Sequence, residues 1–329
     1  MSRPDIAVVY LARHAEGSEP VRNFIRTYRQ HPAGIGHDLV VVRKGFPSED
    51  GTEQDELLHG FQAISIDDSG VDITAYAEAA KQLPHRCVVF FNTFTEILAD
   101  DWLAKLHHAL QAPGVGIAAA MGSHESMLSS WTEASRIVWH CNRGRPYDTE
   151  LEELWGHEIS VHAPPWGRKS LKQHLKQFLR RLLGRVQRYD EARVEKSFHE
   201  FWNAQTGGAF DLLGTIPKFP NPHVRTNGLM MERTTFLATG PEIATDKHNS
   251  YLYESGPHGL TASVIKMGLK PVVVGADGES YSLNNMLHSK TFRLDDQSNL
   301  LITDNQVRDW ARMPPKRRQM YTRMSWWRV

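Results

Sequence analysis

An α/β fold built on a largely parallel sheet is what this 329-residue chain predicts. Short runs rich in β-branched and apolar residues, beginning with IAVVYL at 6–11, recur through the first third of the chain. Segments with helical spacing separate them, and that alternation makes a parallel sheet with right-handed crossovers. The third sign is the stretch VVFFNTFTEILADDWL at 88–103, where an apolar run stops abruptly at Asn92-Thr93. A buried strand that ends in a polar loop delivers that loop to the carboxyl edge of the sheet, where open α/β folds bind ligands.

Each element has its own signature. Residues 6–11 read as a strand buried on both faces. Val21, Phe24, Ile25 and Tyr28 place one apolar stripe on a helix over 21–30. A second strand is expected at 39–42, followed by Lys44-Gly45 and a polar, acidic loop or helix start over 48–56. A third strand at 61–66 ends in Asp67-Asp68-Ser69-Gly70, and a helix follows over 72–82 with Ile73, Ala77 and Ala80 on one side. A fourth strand at 87–91, a helix at 100–110 and a strand at 115–121 complete the regular part. Beyond about residue 125 the alternation fails. Residues 126–141 look helical, and 207–223 are punctuated by Gly and Pro. Residues 229–231 form a short apolar segment, 259–268 a helix and 271–274 a strand. The chain therefore divides into a first half-domain over 1–125, an insertion over 126–221, a second half over 222–280 and a polar extension over 281–329.

Composition bounds the function. Lys+Arg and Asp+Glu balance at 38 each, which disfavours a nucleic-acid binder. Two cysteines, Cys87 and Cys141, make no disulfide framework, so reducing cytosol is the expected compartment. The N-terminal segment lacks the apolar length of a signal peptide, and no run of about 18 apolar residues suggests a membrane span. Phosphate-loop, dinucleotide-fingerprint, nucleophile-elbow and HExxH patterns are absent.

Five segments carry a resemblance: IAVVYLARH; VDITAYAEAAKQLPHRCVVFFNTFTEILADDWLAKL; PGVGIAAAMGS; RTNGLMMERTTFL; and YESGPHGLTASVIKMGLKPVVV. In this order and spacing the chain resembles the GT-A-fold glycosyltransferases, in particular the inverting family 2, over roughly residues 5–125 and 222–275. The resemblance implies a Rossmann-like, mixed but mostly parallel sheet flanked by helices, with a helical insertion and a C-terminal extension. It implies transfer of a sugar from a nucleotide-diphosphate donor to a glycan or lipid-linked acceptor, with inversion, in surface polysaccharide synthesis.

Site residues follow from the same resemblance. Glu254 is the expected general base, removing the proton of the acceptor hydroxyl. Leu11, Arg13, Lys44, Asp67, Asp72 and Asn92 would line the nucleotide-sugar, and Arg225, Asn227 and Gly228 the acceptor. A divalent cation, Mn²⁺ or Mg²⁺, would be held by Asn92 and Glu96. The family's Asp-x-Asp is degenerate here, because Phe94 stands where the second carboxylate belongs. The plainer roles are a helix-start carboxylate for Glu254 and Glu96, a turn for Asn92 and for 222–228, a helix cap for Asp72, and surface charge for Arg13 and Lys44. The tail residues around Asp304 suit either a cover for the site or an Asx turn.

Residues 168–188 (RKSLKQHLKQFLRRLLGRVQR) form a basic amphipathic pattern. Such a helix either packs its leucine stripe on a core or lies on an anionic membrane surface. Two other functions therefore stand beside transfer: an inactive GT-A-like binding protein, and a peripheral membrane protein acting through this helix at the inner face of the membrane.

Overall fold

The structure, a computed structural model, describes residues 4–47, 51–133, 190–205 and 216–326. The predicted basic helix over 168–188, most of the predicted insertion, Cys141 and Trp327 lie outside the described residues. The chain divides into two compact units, residues 1–125 with 213–329, and residues 126–212. In the second unit, residues 127–133 are helical, as is Glu191–Gln205 (α5).

The first unit is built on an eight-stranded sheet. Its strands are β1 (Ile6–Arg13), β2 (Asp38–Lys44), β3 (Gln62–Ile66), β4 (Cys87–Phe91), β6 (Val115–Ala119), β9 (Leu229–Glu232), β10 (Lys270–Val274) and β11 (Ser280–Ser282). The spatial order is β11-β10-β6-β9-β4-β1-β2-β3. β1 pairs in parallel with β2 and β4, β2 with β3, and β6 with β10. β9 is antiparallel to both of its neighbours, and β11 to β10. The architecture is thus the mixed, mostly parallel α/β sheet expected of a GT-A-like fold. Small pairings join β5 (Glu96–Ile97) to β12 (Ile302–Thr303) and β7 (Gly122–Ser123) to β8 (His223–Val224).

The central strands are buried on both faces, which is why they read as unbroken apolar runs: Ala7 to Ala12 and Val88 to Phe91 have no exposed surface. Helices α1 (Ser18–Gln30), α2 (Glu53–Leu58), α3 (Asp72–Gln82) and α4 (Trp102–Leu110) follow the strands. Phe24 of α1 stacks on Tyr10 with ring centroids 3.7 Å apart, and Tyr76 of α3 stacks on Phe90 at 4.7 Å. α4 begins at Trp102, two residues later than its apolar spacing predicts, because Asp101 takes a left-handed conformation (φ 57°). The fully buried Trp102 packs on Phe91 at 5.3 Å, so it belongs to the core.

β9 sits in the middle of the sheet in the opposite direction, with Leu229, Met230 and Met231 buried. Gly228 makes this insertion possible. Its φ of +74° favours glycine, and a Cβ there would come within 2.6 Å of Ile302 Cδ1 and 2.7 Å of Ala120 Cβ. Ala120 cannot swing away, so Gly228→Ala combines left-handed strain with overpacking. It is expected to cost about 2–4 kcal/mol, read as a lower denaturant midpoint at unchanged slope.

The remaining helices of this unit are α6 (Arg233–Ala238), α7 (Lys247–Ser255), α8 (Leu260–Lys266), α9 (Asn305–Arg312) and α10 (Pro315–Trp326). The stretch predicted as a polar extension is therefore structured and tied to the sheet unit. The Leu98 N–H donates to the Leu301 carbonyl at 2.9 Å and Asn227 Nδ2 to Asp304 Oδ2 at 3.2 Å, while Trp326 Nε1 braces the stretch internally through the Phe292 carbonyl at 2.6 Å and Trp310 Nε1 through the Arg318 carbonyl at 3.0 Å.

Candidate functional site

The strand directions bring one set of chain segments to a single sheet edge. Arg13 is in register with Lys44, Lys44 with Ile66, and Tyr10 with Phe91, so β1, β2, β3 and β4 all end there. Leu229 pairs with Phe90, which puts the amino end of β9, and hence Asn227-Gly228, at the same edge. Three groups of residues meet the solvent from it.

The first group lies over β1 to β3. Arg13 forks onto Asp68, Nε to Oδ1 at 2.9 Å and Nη2 to Oδ2 at 3.2 Å, and reaches Glu16 at 3.5 Å. The hydrogen bond to Asp68 raises the guanidinium pKa, and the same bond holds the Asp68 carboxyl low. Lys44 is buried, and its Nζ donates to the Gly70 carbonyl at 2.7 Å. Burial lowers its pKa against the pull of Asp72. Lys44 thus supports the loop after β3 from below. Asp67 accepts the Ser69 N–H at 2.9 Å and the Ser69 hydroxyl, which hold its pKa low. Leu11 lies wholly inside the sheet, paired with Val42, so Arg13 rather than Leu11 forms the strand tip.

Asp72 is the first residue of α3. The capping position is Val71, whose N–H is taken by Thr74 Oγ1 at 3.0 Å. Asp72 is open to solvent, yet burial pushes its carboxyl pKa up against the pull of Lys44, Lys247 and Arg13.

The second group is the loop after β4. Asn92 Oδ1 accepts from the Phe94 N–H and from Thr95 Oγ1, both at 3.0 Å, and the Asn92 N–H donates to Asn227 Oδ1 at 3.0 Å. Asn227 Oδ1 also takes the Thr95 hydroxyl at 2.9 Å, and its Nδ2 donates to Asp304 Oδ2 at 3.2 Å. Asp304 caps α9 by accepting the Val307 N–H at 3.0 Å. Asn92 is therefore a turn-former and Asn227 a buried hub between this loop and the C-terminal segment. Glu96 is not a helix-start residue. It lies in β5, with Arg308 at 2.9 Å and Arg26 at 3.3 Å.

These donors do not suit a divalent cation. The Asn92 oxygen is committed to its own turn, and both Glu96 oxygens face guanidinium groups that a metal would have to displace. Among the described residues no group of three or more His, Cys, Asp or Glu side chains is placed to share an ion.

The third group centres on Glu254. It lies near the carboxyl end of α7 and not at a helix start. Asp246 starts that helix by accepting the His248 and Asn249 N–H groups at 2.8 and 2.9 Å. Tyr253, hydrogen-bonded to Thr239 at 2.7 Å, anchors its buried face, and Asn221 Nδ2 fixes its end through the Ser255 carbonyl at 2.8 Å. The helix dipole at this end disfavours an anion, so the helix-start role is excluded. Other groups hold the charge. Thr226 donates its N–H to Oε1 at 3.0 Å and its hydroxyl at 3.3 Å, and Arg225 Nη1 lies 3.5 Å from Oε2.

The Glu254 side chain is 12% exposed. Burial alone would raise its pKa, but Arg225, His223, the Thr226 N–H and Lys247 outweigh it and leave the carboxyl below its ordinary value. Arg225 is itself positioned by Gln306 Oε1 at 2.9 Å and by the Phe292 ring, 4.9 Å from Cζ. Buried His223 accordingly has a lowered pKa and donates its Nδ1–H to the Asn221 carbonyl at 2.8 Å.

Lys247 was not anticipated from sequence, and neither were the contacts of Thr226 with Glu254 and of Arg308 with Glu96; Asp304, expected in a cover or an Asx turn, caps α9. The spacing of Lys247, Tyr251 and Glu254 on one helical face (i, i+4, i+7) was the available signal. It was hidden because α7 reads as a polar loop, with few apolar residues to show a helical period.

No family model matches the chain, and no curated protein matches it. Among solved structures, residues 1–349 of S. aureus TarS align with 12% identity and a TM-score of 0.28, over 35% of this chain and 35% of that one. The same protein in complex with UDP-GlcNAc aligns with 12% identity and a TM-score of 0.28, over 35% and 34% of the two chains. A longer S. aureus TarS structure aligns with 13% identity and a TM-score of 0.29, over 38% and 26%. The matched part spans about a third or less of those structures. Overlap of that extent assigns neither substrate nor chemistry to this chain.

Proposed function

We propose that this protein is a glycosyltransferase that moves a sugar, with inversion, from a nucleotide-diphosphate donor to a glycan or lipid-linked acceptor in surface polysaccharide synthesis, in the cytoplasm. The observation that carries the reading is Glu254, an ionised, nearly buried carboxylate on a helix anchored at both ends. Lys247, on the same helix, lowers the pKa of Glu254 and also that of Asp72 beside the strand tips.

In this reading the donor lies against Arg13, Asp67 and Asp72, with Leu11 and Lys44 supporting the strand tips from within and Asn92 shaping the loop beneath it. The acceptor lies by Arg225, Asn227 and Gly228. Glu254 Oε2, which no hydrogen bond among the described residues occupies, takes the acceptor hydroxyl proton as that oxygen bonds the anomeric carbon. The bond from the anomeric carbon to the diphosphate breaks, and the electron pair leaves with the diphosphate. Fixed geometry and charge stabilisation of the leaving group supply most of the acceleration.

The pH profile tests the assignment. A base whose pKa lies below the ordinary glutamate value of 4.5 is ready throughout the neutral range. The acid limb of kcat/KM is expected below that value, and a limb near neutrality would assign the base to another group. The same depression stabilises the fold above pH 4.5, and that contribution is lost as pH falls through the lower folded-state pKa.

The second reading, a GT-A-like protein that binds nucleotide or glycan without transfer, draws on the commitment of Asn92 and Glu96 to protein partners. Calorimetry with UDP, GDP and dTDP sugars followed by product analysis separates the two readings. A donor that binds and is neither transferred nor hydrolysed favours the second. Among the described residues no helix is long and apolar enough to cross a membrane. Peripheral contact through 168–188 is proposed from the sequence alone.

A further inference from the structure

Resting on the transfer reading above, we infer that the donor diphosphate is held without a divalent cation, with Lys247 and Arg13 supplying the positive charge. The carboxylates and amides near the strand tips are already neutralised or hydrogen-bonded by protein groups. Glu96 lies between Arg26 and Arg308, Asp68 is forked by Arg13, and Asp67 is held by Ser69. Asp304 is held by Val307 and Asn227, and the Asn92 oxygen by Phe94 and Thr95. A hard cation bound at any of these positions would first break an ion pair or a turn, and Asp72 alone offers too few oxygens to hold one.

Lys247 is differently placed. It is exposed in the first turn of α7, and its ammonium lies 5.0 Å above the Tyr251 ring, which leaves its N–H groups available to a ligand. It stands on the helical face that carries Glu254 two turns on. Its field reaches both Glu254 and Asp72. A diphosphate between the strand tips and α7 would meet Lys247 directly, and would reach Arg13 by taking the place of Asp68 and Glu16 on that guanidinium. Lysine serves as a point charge and arginine as a fork, and both suit phosphate oxygens. As the bond to the sugar breaks, the negative charge that develops on the diphosphate would lie against this ammonium rather than against a metal.

The test is calorimetry on the full chain with UDP, GDP and dTDP, each in EDTA and in Mn²⁺ or Mg²⁺. Wild type, Lys247→Ala and Lys247→Arg are compared, and circular dichroism confirms that each is folded. At least one nucleotide is expected to bind with a Kd that changes less than about twofold between EDTA and metal. Lys247→Ala is expected to weaken it about tenfold or more, the scale of one charge-assisted contact, with much of the loss recovered by Lys247→Arg. Binding that needs metal and disappears in EDTA, or that ignores Lys247→Ala, overturns the inference while leaving the transfer reading intact. If none of the three binds under either condition, the donor site itself is wrong and both fall.

Discussion

Glu254→Gln is expected to lower kcat by about 10²- to 10⁴-fold, the range that one positioned base contributes, while leaving donor affinity close to wild type. The glutamine amide has nearly the volume of the carboxylate and its oxygen can still accept from Thr226, so α7 should keep its place. What is lost is the proton acceptor. The charge of Arg225 is then unbalanced, but Gln306 and the Phe292 ring still hold that guanidinium, which limits the structural cost. A variant with wild-type turnover and bound donor would remove Glu254 from the chemistry.

Asn227→Ala is expected to destabilise the fold by about 2–4 kcal/mol. The Asn227 amide is buried, and every contact it makes joins separate parts of the fold. Its truncation strands the Asn92 N–H and one oxygen of buried Asp304, and leaves the Thr95 hydroxyl with Asn92 Oδ1 alone. The cost is the desolvation of groups left unpaired rather than the worth of three hydrogen bonds. Chemical denaturation should show the midpoint fall with an unchanged slope. A variant as stable as wild type would mean that the loop after β4 and the C-terminal segment are not coupled through this side chain. The loss should also reach activity, because the same hub fixes the loop that borders the proposed donor site.

The regular half of the fold was legible in the sequence because its strands are buried on both faces. Ala7 to Ala12 and Val88 to Phe91 have no polar positions to blur the pattern. α3 was readable to its ends for a similar reason, its alanine-rich face packing without interruption. What was hidden depends on long-range pairing. β9 is short, and nothing local reveals that Leu229–Glu232 runs backwards between β4 and β6. The C-terminal segment is polar because its side chains are used as ties: Asp304 to Asn227, Arg308 to Glu96 and the Phe94 carbonyl, Gln306 to Arg225. Polar residues at turns and polar residues in buried networks look alike in one dimension.

The site shows the same division. Sequence spacing brought Arg13, Lys44, Asp67 and Asp72 to one sheet edge, since strand ends follow from strand assignment. It did not distinguish accessible from spent side chains. Lys44 lies under its loop, Asn92 closes its own turn, and Glu96 is enclosed by two arginines. Lys247, which is accessible, escaped notice because a single lysine in a polar helix carries no pattern.

The central claim is that the tips of β1 to β3 and the carboxylate of Glu254 face one ligand. A crystal structure of the full chain with UDP, GDP or dTDP tests this most directly. The diphosphate is predicted to lie within hydrogen-bond distance of Arg13 or Lys247, beside the Glu254 carboxylate. Diphosphate density at any other surface, with the space between Asp72 and Glu254 left to solvent, would contradict it.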